Sequence, residues 1–495
     1  MAEYKTPGVY IVEQDAFPNS VVEVPTAVPA FIGYTQKAEY GGKDLTGKPQ
    51  RISSYAEFLA FFGGAPEPHF NFKLEKGKPH LSLIQRGSFR LHDGLRLFFD
   101  NGGGACWIVS IGGYGAWDNP TAMSTEPFVE ALKLLEEEPE PTMIVTPDTV
   151  LLGSKDHGKV AEAALAHCAK MQSRMAILDV HDGYRARTGD DDDVIDGFRN
   201  QIGIQGLNYG AAYYPWLNTT IRSAKEVSYL RIVEEDRADL IAWLKERAKE
   251  TYAPNPVPPG LLQTIEDMDK NHIDPNRPKE IHTILLAAIA AYKELMSELL
   301  EQMNLQPPAA AMAGVWSRTD NTVGVWKAPA NTGMVSVASP SVIISSEEQE
   351  DLNSPLNGMA VNAIRTFVGR GVLIWGARTL DANSLDWRYI NVRRTMIMLE
   401  QSIKAATLPY VFAPNDSGTW LIVQSMIENF LTNQWKAGAL AGTKPADAFD
   451  VQVGLGSTMT GRDILDGYMR VTVKVAVVRP AEFVVITFQQ QMQKG

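Results

Sequence analysis

Read for apolar and polar spacing, the chain alternates between short β-branched runs and helical stripes. Ala27 to Gly33 predicts a core strand, and Ser53 to Phe62 has helical spacing behind a serine cap and ends at Gly63-Gly64. Leu95 to Asp100 reads as helix, Asn101 to Gly104 as a glycine turn and Ala105 to Ser110 as strand. Helix Pro127 to Glu138 then leads to strand Met143 to Thr146, and helix Lys159 to Met171 to strand Met175 to Asp179. Asn208 to Trp216 fits a further strand. Such repetition predicts an α/β layer with parallel pairing.

The pattern changes between about residues 220 and 306. Asp236 to Glu250 is an amphipathic helix, and a proline-rich break follows at Pro254 to Pro259. Leu285, Ala288, Tyr292, Leu295 and Leu299 then recur three and four apart, predicting one long helix. The stretch 65–79, rich in Pro, Lys and Gly, reads as an exposed loop. Beyond it the chain returns to α/β, with strand Val372 to Trp375 and helices Trp387 to Ala405 and Gly418 to Lys436. In Met469 to Val478, the residues Val471, Val473, Val475 and Val477 share one face.

Two segments stand apart from this compact pattern. Val9, Tyr10, Ile11, Val12 and Glu13 favour a strand behind the breaker Thr6-Pro7-Gly8. At the other end Phe483, Val484, Val485, Ile486, Thr487 and Phe488 form a strand behind Arg479-Pro480. A lone strand leaves N–H and C=O groups unpaired, so these either close the chain's own sheet or add to a neighbour's.

Composition narrows the class. A chain of 495 residues suggests about two to four domains. Its 45% hydrophobic and 21% charged content is that of an ordinary globular protein, and a net charge of −12 argues against a nucleic-acid or anionic-membrane partner. Cys106 and Cys168 give neither a disulfide framework nor a metal-finger spacing. With no export signal and no long apolar run, a cytosolic site of synthesis is expected.

Catalytic patterns fail on inspection. Gly442-Thr-Lys-Pro445 lacks the spacing of a phosphate-binding loop, no GxSxG elbow occurs, and the eight histidines are scattered without i, i+4 pairing. Asp190 to Asp193 lacks calcium-loop spacing and reads as a solvated loop whose conversion to Asn should do little. Asp179, His181 and Asp182 have no nucleophile beside them. No catalytic residue, metal or cofactor is expected.

The stretch from Pro355 to Arg394 carries Arg365, Arg370, Arg378, Arg388, Arg393 and Arg394 around the run Val372 to Ala377. Permanently charged guanidiniums beside apolar residues suit fixed ion pairs and subunit contacts better than turnover. This stretch resembles the contractile tail sheath family of phages, pyocins and extracellular contractile injection systems. Ala313-Gly-Val-Trp-Ser-Arg-Thr-Asp320, Gly324 to Asn331, Tyr410 to Asp416 and Arg479 to Ile486 carry the same resemblance. Ile390 to Ile403 and the ending Pro480 to Lys494 are most similar to injection-system sheaths of the antifeeding-prophage and Photorhabdus virulence-cassette type.

The resemblance implies a mixed α/β, multi-domain sheath fold: an N-terminal arm (1–25), an outer domain (26–354) with the helical insertion, a C-terminal core (355–479) and a C-terminal arm (480–495). It implies arms that pair with neighbours, a receiving sheet at Val471, Val473, Val475 and Val477, and tube contacts at Glu428 and Lys436. Its expected partners are further copies of the chain, an inner tube, and baseplate and cap proteins, with neither nucleic acid nor membrane insertion. A myophage or prophage tail sheath is the alternative within the family, and a cytosolic α/β enzyme the alternative outside it.

Overall fold

The computed structural model describes residues 21–84, 88–116, 119–190, 192–270, 274–483 and 485. It divides into a large unit, Pro25–Arg394, and a small unit formed by Met1–Val24 with Thr395–Gly495. The boundary falls at Arg394/Thr395 rather than near residue 355, because the arginine-rich stretch supplies two strands to the large unit's sheet.

That sheet has eight strands: β1 Pro29–Thr35, β2 Gln50–Ile52, β3 Cys106–Gly113, β4 Met143–Val145, β5 Met175–Asp179, β6 Gly210–Tyr214, β7 Asn362–Phe367 and β8 Gly371–Ile374. Their order is β8-β7-β6-β5-β4-β1-β3-β2. The six inner strands run parallel, and β8 and β2 close the two sides antiparallel. Every residue of β1, β4, β5 and β6 is buried, as a parallel sheet covered by helices on both faces demands.

The direction of winding reverses between β3 and β4 around β1, which opens a crevice at the strands' carboxyl ends. Here Asp148 fills it. Its carboxylate accepts N–H groups from Tyr34, Arg90 and Leu91, so it caps the helix Leu91–Asp100. A Cβ at residue 33 would collide with that carboxylate, which explains Gly33 at the end of β1. Burial pushes the Asp148 pKa up to about 6, against the pull of the three N–H donors. Asp179 plays a similar part at the end of β5, accepting from Ala309 N at 2.7 Å where helix Ala309–Thr322 begins. Burial pushes its pKa up to about 7. His181, beside it in sequence, contacts the Leu152 carbonyl through Nε2 at 2.9 Å.

Residues 65–79, expected as a loop, contribute to a hairpin. Phe70–Glu75 pairs with Lys78–Leu83 around a Lys76-Gly77 turn with both φ angles positive. Phe70, Phe72 and Leu81 are buried against Tyr229, Leu240, Trp243, Ile265, Leu285, Tyr292 and Leu299 of the 220–306 insertion. The insertion thus shares a second core with the hairpin. The expected long helix is two, Arg277–Ala288 and Ala290–Met303, parted at Ile289 (φ −129°, ψ 105°), whose side chain is buried. The apolar stripe survives the break.

The acidic run at 190–193 also differs from expectation. Asp193 is the N-cap of helix Val194–Gln201 and accepts from the N–H groups of Ile195 and Asp196. It also takes N–H groups of Thr188 and Gly189 and pairs with Arg187, itself bonded to Asp351 at 2.6 Å. Burial opposes ionisation, yet these donors hold its carboxyl below the usual range. Asp190, by contrast, is exposed and, among the described residues, bonded within its own turn to Thr188 and Asp192.

Phe72→Ala is expected to cost about 3–5 kcal/mol in a urea titration, as for other buried aromatic truncations. Asp193→Asn should cost about 3 kcal/mol, because it leaves Arg187 short of a buried partner, while Asp190→Asn should leave the same titration unchanged. A carboxyl whose pKa is raised by folding binds more protons in the folded state, so its stabilisation is full below the unfolded pKa and is lost as pH rises towards the folded one. Asp179→Asn keeps the acceptor for Ala309 without the charge. Its melting temperature should therefore gain on the parent between about pH 4 and about pH 7, and a constant difference across that window would refute the assignment.

Candidate functional site

The family-like motifs of the large unit are spent on internal packing. Trp316, in helix Ala309–Thr322, is fully buried and donates Nε1–H to the Tyr213 hydroxyl at 2.9 Å. Gly314 lies against the Phe98 carbonyl, where a Cβ has no room. Arg394 forks onto Asp320 at 2.8 and 2.6 Å, with its guanidinium 4.8 Å from the Trp316 ring centroid. Arg393 lies between Tyr209 and Trp387, 4.2 and 4.4 Å from their ring centroids. Arg378 donates to the Asn353 carbonyl at 2.8 Å. These three arginines are buried. Arg365, beside the Phe367 ring, and the exposed Arg370, on Asn331, lie nearer the surface. Intramolecular pairing thus accounts for the buried guanidiniums.

Both edges of the large sheet are managed within the chain. Asn331 N donates to the Ile374 carbonyl and Ile374 N to the Thr332 carbonyl, so the Gly324–Asn331 motif leads into a cover for β8. The opposite edge, β2, is only three residues long. Covered or very short edges do not invite another strand.

The small unit is built differently. Its described part holds the helix Ser417–Ala437, the later turns of helix Ile390–Thr407, and strands β9 Phe449–Val453 and β10 Val471–Val475. Asp416 caps the first helix through Thr419 N, and Gly438 (φ 93°) ends it. Residues 21–24 are tied into this unit: Val24 N donates to Ser402 Oγ at 3.0 Å and Gln434 Nε2 to Glu23 at 3.1 Å.

Strands β9 and β10 pair antiparallel from Phe449↔Val475 to Val453↔Val471. Among the described residues they form a two-stranded sheet with no further ladder neighbour. Val471, Val473 and Val475 are half-buried on one face while Thr472 and Lys474 are exposed on the other, matching the expected alternation. Val477 lies past the strand in a bridge with Leu440. A groove of about 570 Å³ runs beside Val471 and Val473, walled by Ile403, Phe412, Ile427 and Tyr468. Phe412 is fully exposed at φ 69°, and Val411 beside it is exposed too.

The helix Ser417–Ala437 divides its apolar residues. Val423, Met426, Ile427, Phe430 and Leu431 are buried, whereas Leu421 is 65% and Ile422 43% exposed. With Asn429, Asn433 and Lys436 they form an outward stripe. Glu428 is half-buried and accepts from Gln424 at 2.8 Å, so of the expected tube-contact pair only Lys436 is openly presented. The outward Leu421 and Ile422 could not be told from core residues by spacing alone. Of the two arms, Val9 to Glu13 lies outside the described residues, as do Val484 and Ile486 to Phe488; Phe483 and Val485 are exposed.

Other candidate chemistry stays internal. Cys106 and Cys168 are buried free thiols, and burial raises the pKa of both. Among the described residues no group of His, Cys, Asp and Glu is arranged to hold a metal, and no helix is long and apolar enough to cross a membrane.

Comparison with known proteins bears on the same regions. A family model for the phage tail sheath C-terminal domain matches residues 382–491. The tail sheath protein of Salmonella phage ViI is 27% identical over 142 residues, 28% of this chain and 22% of that protein. The tail sheath protein of Burkholderia phage BcepMu is 28% identical over 130 residues, 25% of this chain and 26% of that protein. These matches therefore span about a fifth to a quarter of the length of the curated relatives. The likeness to solved structures runs the full length. A chain in the contracted helical sheath of the anti-feeding prophage is 27% identical with a TM-score of 0.62, covering 99% of this chain and 100% of that one. A chain of the contracted PVC sheath complex, from an extracellular contractile injection system, is 25% identical with a TM-score of 0.61 and 99% coverage of both. Residues 382–491 thus match the phage tail sheath C-terminal domain, and the chain over its whole length is similar in fold to chains of contracted sheaths.

Proposed function

We propose that the chain is the structural subunit of a contractile sheath: it polymerises helically around an inner tube and, on contraction, drives that tube through a target membrane. The observation carrying this reading is the likeness, over essentially the whole of both chains, to subunits of contracted sheaths. The match to a chain in the anti-feeding prophage baseplate, 28% identical over 99% of this chain, supports baseplate proteins as partners beside the tube. The curated relatives keep a phage tail as the alternative particle.

The physical basis we assign to assembly is the small unit's β9–β10 sheet, which among the described residues has no further ladder neighbour. Backbone N–H and C=O groups along an unpaired strand edge gain about 0.5–1.5 kcal/mol for each hydrogen bond completed. Val9 to Glu13 and Phe483 to Phe488 are the segments we assign as donors, each adding to the β9–β10 sheet of another copy. Such head-to-tail linkage does not close on itself and generates a helical lattice. Pro7-Gly8 and Pro480 stand where the arms would turn as the lattice changes radius. The outward stripe of Leu421, Ile422 and Lys436 is the surface we assign to the tube. Assembly in the cytoplasm and release of the particle belong to the same proposal.

Negative-stain electron microscopy of the full-length chain expressed alone is expected to show hollow, cross-striated tubes. Deletion of residues 1–14 should leave a folded subunit, by circular dichroism, that forms none. Normal tubes from the truncated chain would overturn the role of the N-terminal arm.

A further inference from the structure

Where the insertion meets the α/β layer of the large unit, buried charge gathers around a small cavity. Arg90 precedes helix Leu91–Asp100 and is 5% exposed; Arg222, at the start of the insertion, is 8% exposed. Arg222 donates through Nε to Asp93 Oδ2 at 2.9 Å and through Nη1 to Glu226 at 3.0 Å, but Nη2 reaches only the Pro66 carbonyl, at 3.5 Å. Arg90 Nη1 donates to the Leu305 carbonyl at 3.2 Å, whereas its buried Nε has no partner among the described residues. Both arginines, together with Asp93 and Ser88, border a cavity with about 10 Å³ of room for the centre of a water molecule. Phe89 and Met303 supply part of its apolar wall.

We propose that this cavity binds one ordered water, which accepts from Arg90 Nε and Arg222 Nη2 and donates to Asp93 and the Ser88 hydroxyl oxygen. A buried N–H without an acceptor is costly, and a polar cavity of this size holds one water where an apolar one stays dry. Acceptors are available for its two protons. Ser88 spends its own O–H on the Ile84 carbonyl at 2.6 Å, which leaves the oxygen's lone pairs. Burial opposes ionisation of Asp93, yet His92 and Arg222 hold its carboxyl below the usual range. A carboxylate accepts about four hydrogen bonds. His92 Nδ1, Arg222 Nε and Gln306 Nε2 contact this one at 2.9, 2.9 and 3.3 Å, so one place remains. Size and charge both exclude an anion. The room is that of a single water, the Asp93 carboxylate stands on the wall, and Glu226 and Asp148 already pair with or accept from the two arginines. The water thus bridges a guanidinium of the layer to one of the insertion.

The test is density at this cavity in the full-length chain, by cryo-electron microscopy of its tubes or crystallography of the free subunit, at a resolution that shows ordered water. A single peak about 2.7–3.2 Å from both Arg90 Nε and Arg222 Nη2 is expected. No peak, or one that touches neither arginine, would overturn the assignment. With bromide in place of chloride the peak should keep its height; a heavier peak would mean an anion and overturn it equally. Arg90→Met removes the donor and should abolish the peak, while the same peak in that variant would show that Arg90 does not hold it. If Arg90→Met does not fold, the parent's density with and without bromide still decides.

Discussion

Desolvated charge is the constraint on which the large unit turns. Taking a carboxylate and a guanidinium out of water costs several kcal/mol for each ion, by order of magnitude, unless fork geometry and further hydrogen bonds compensate. Asp320 and Arg394 meet both conditions, with two contacts between them, Thr26 on either side and the Trp316 face above. These groups come from the start of the unit, a helix in its last third and its last residue. The pair therefore cannot form unless distant parts of the chain have arrived together. Arg393 and Arg378 are handled the same way, one by aromatic faces and the other by a carbonyl.

The same rule governs the carboxyl ends of the parallel strands. In an open α/β sheet the crevice beside the reversal point is where ligands commonly bind, because N–H groups converge there. In this chain Asp148 takes those N–H groups and Asp179 takes another at the next helix start. Both carboxyls are buried, and that burial raises their pKa. The carboxyl ends of this doubly wound layer are thus occupied by the chain's own side chains.

The two units then differ in how they treat sheet edges. The large sheet ends in a covered strand on one side and a three-residue strand on the other. Among the described residues the small unit holds two strands and an apolar groove alongside. An uncovered edge beside an apolar wall is unfavourable for an isolated subunit and useful in a polymer, where a neighbour's strand satisfies both.

Periodicity alone determined most of the layer. Strands β1, β4, β5 and β6 and the helices leading into β4 and β5 follow from continuous apolar runs and 3.6-residue stripes, because burial on two faces or one leaves that trace locally. The alternation of Val471, Val473 and Val475 was legible for the same reason, and the motif wording carried the family. What tertiary structure decided was where polar groups and short strands found partners. The 70–83 hairpin depends on an insertion about 150 residues away, so its two phenylalanines looked like loop residues. Asp193 looked like one of four solvated aspartates until Arg187 and a helix start converged on it. The arginines read as suited to fixed ion pairs and subunit contacts; Arg394 makes such a pair with Asp320, but which partner each buried guanidinium takes is set by three-dimensional proximity and leaves no periodic signal. Nor could spacing separate Leu421 and Ile422 from Met426 and Ile427. A helix with apolar residues on more than one face shows its outward stripe only once its packing partner is in place.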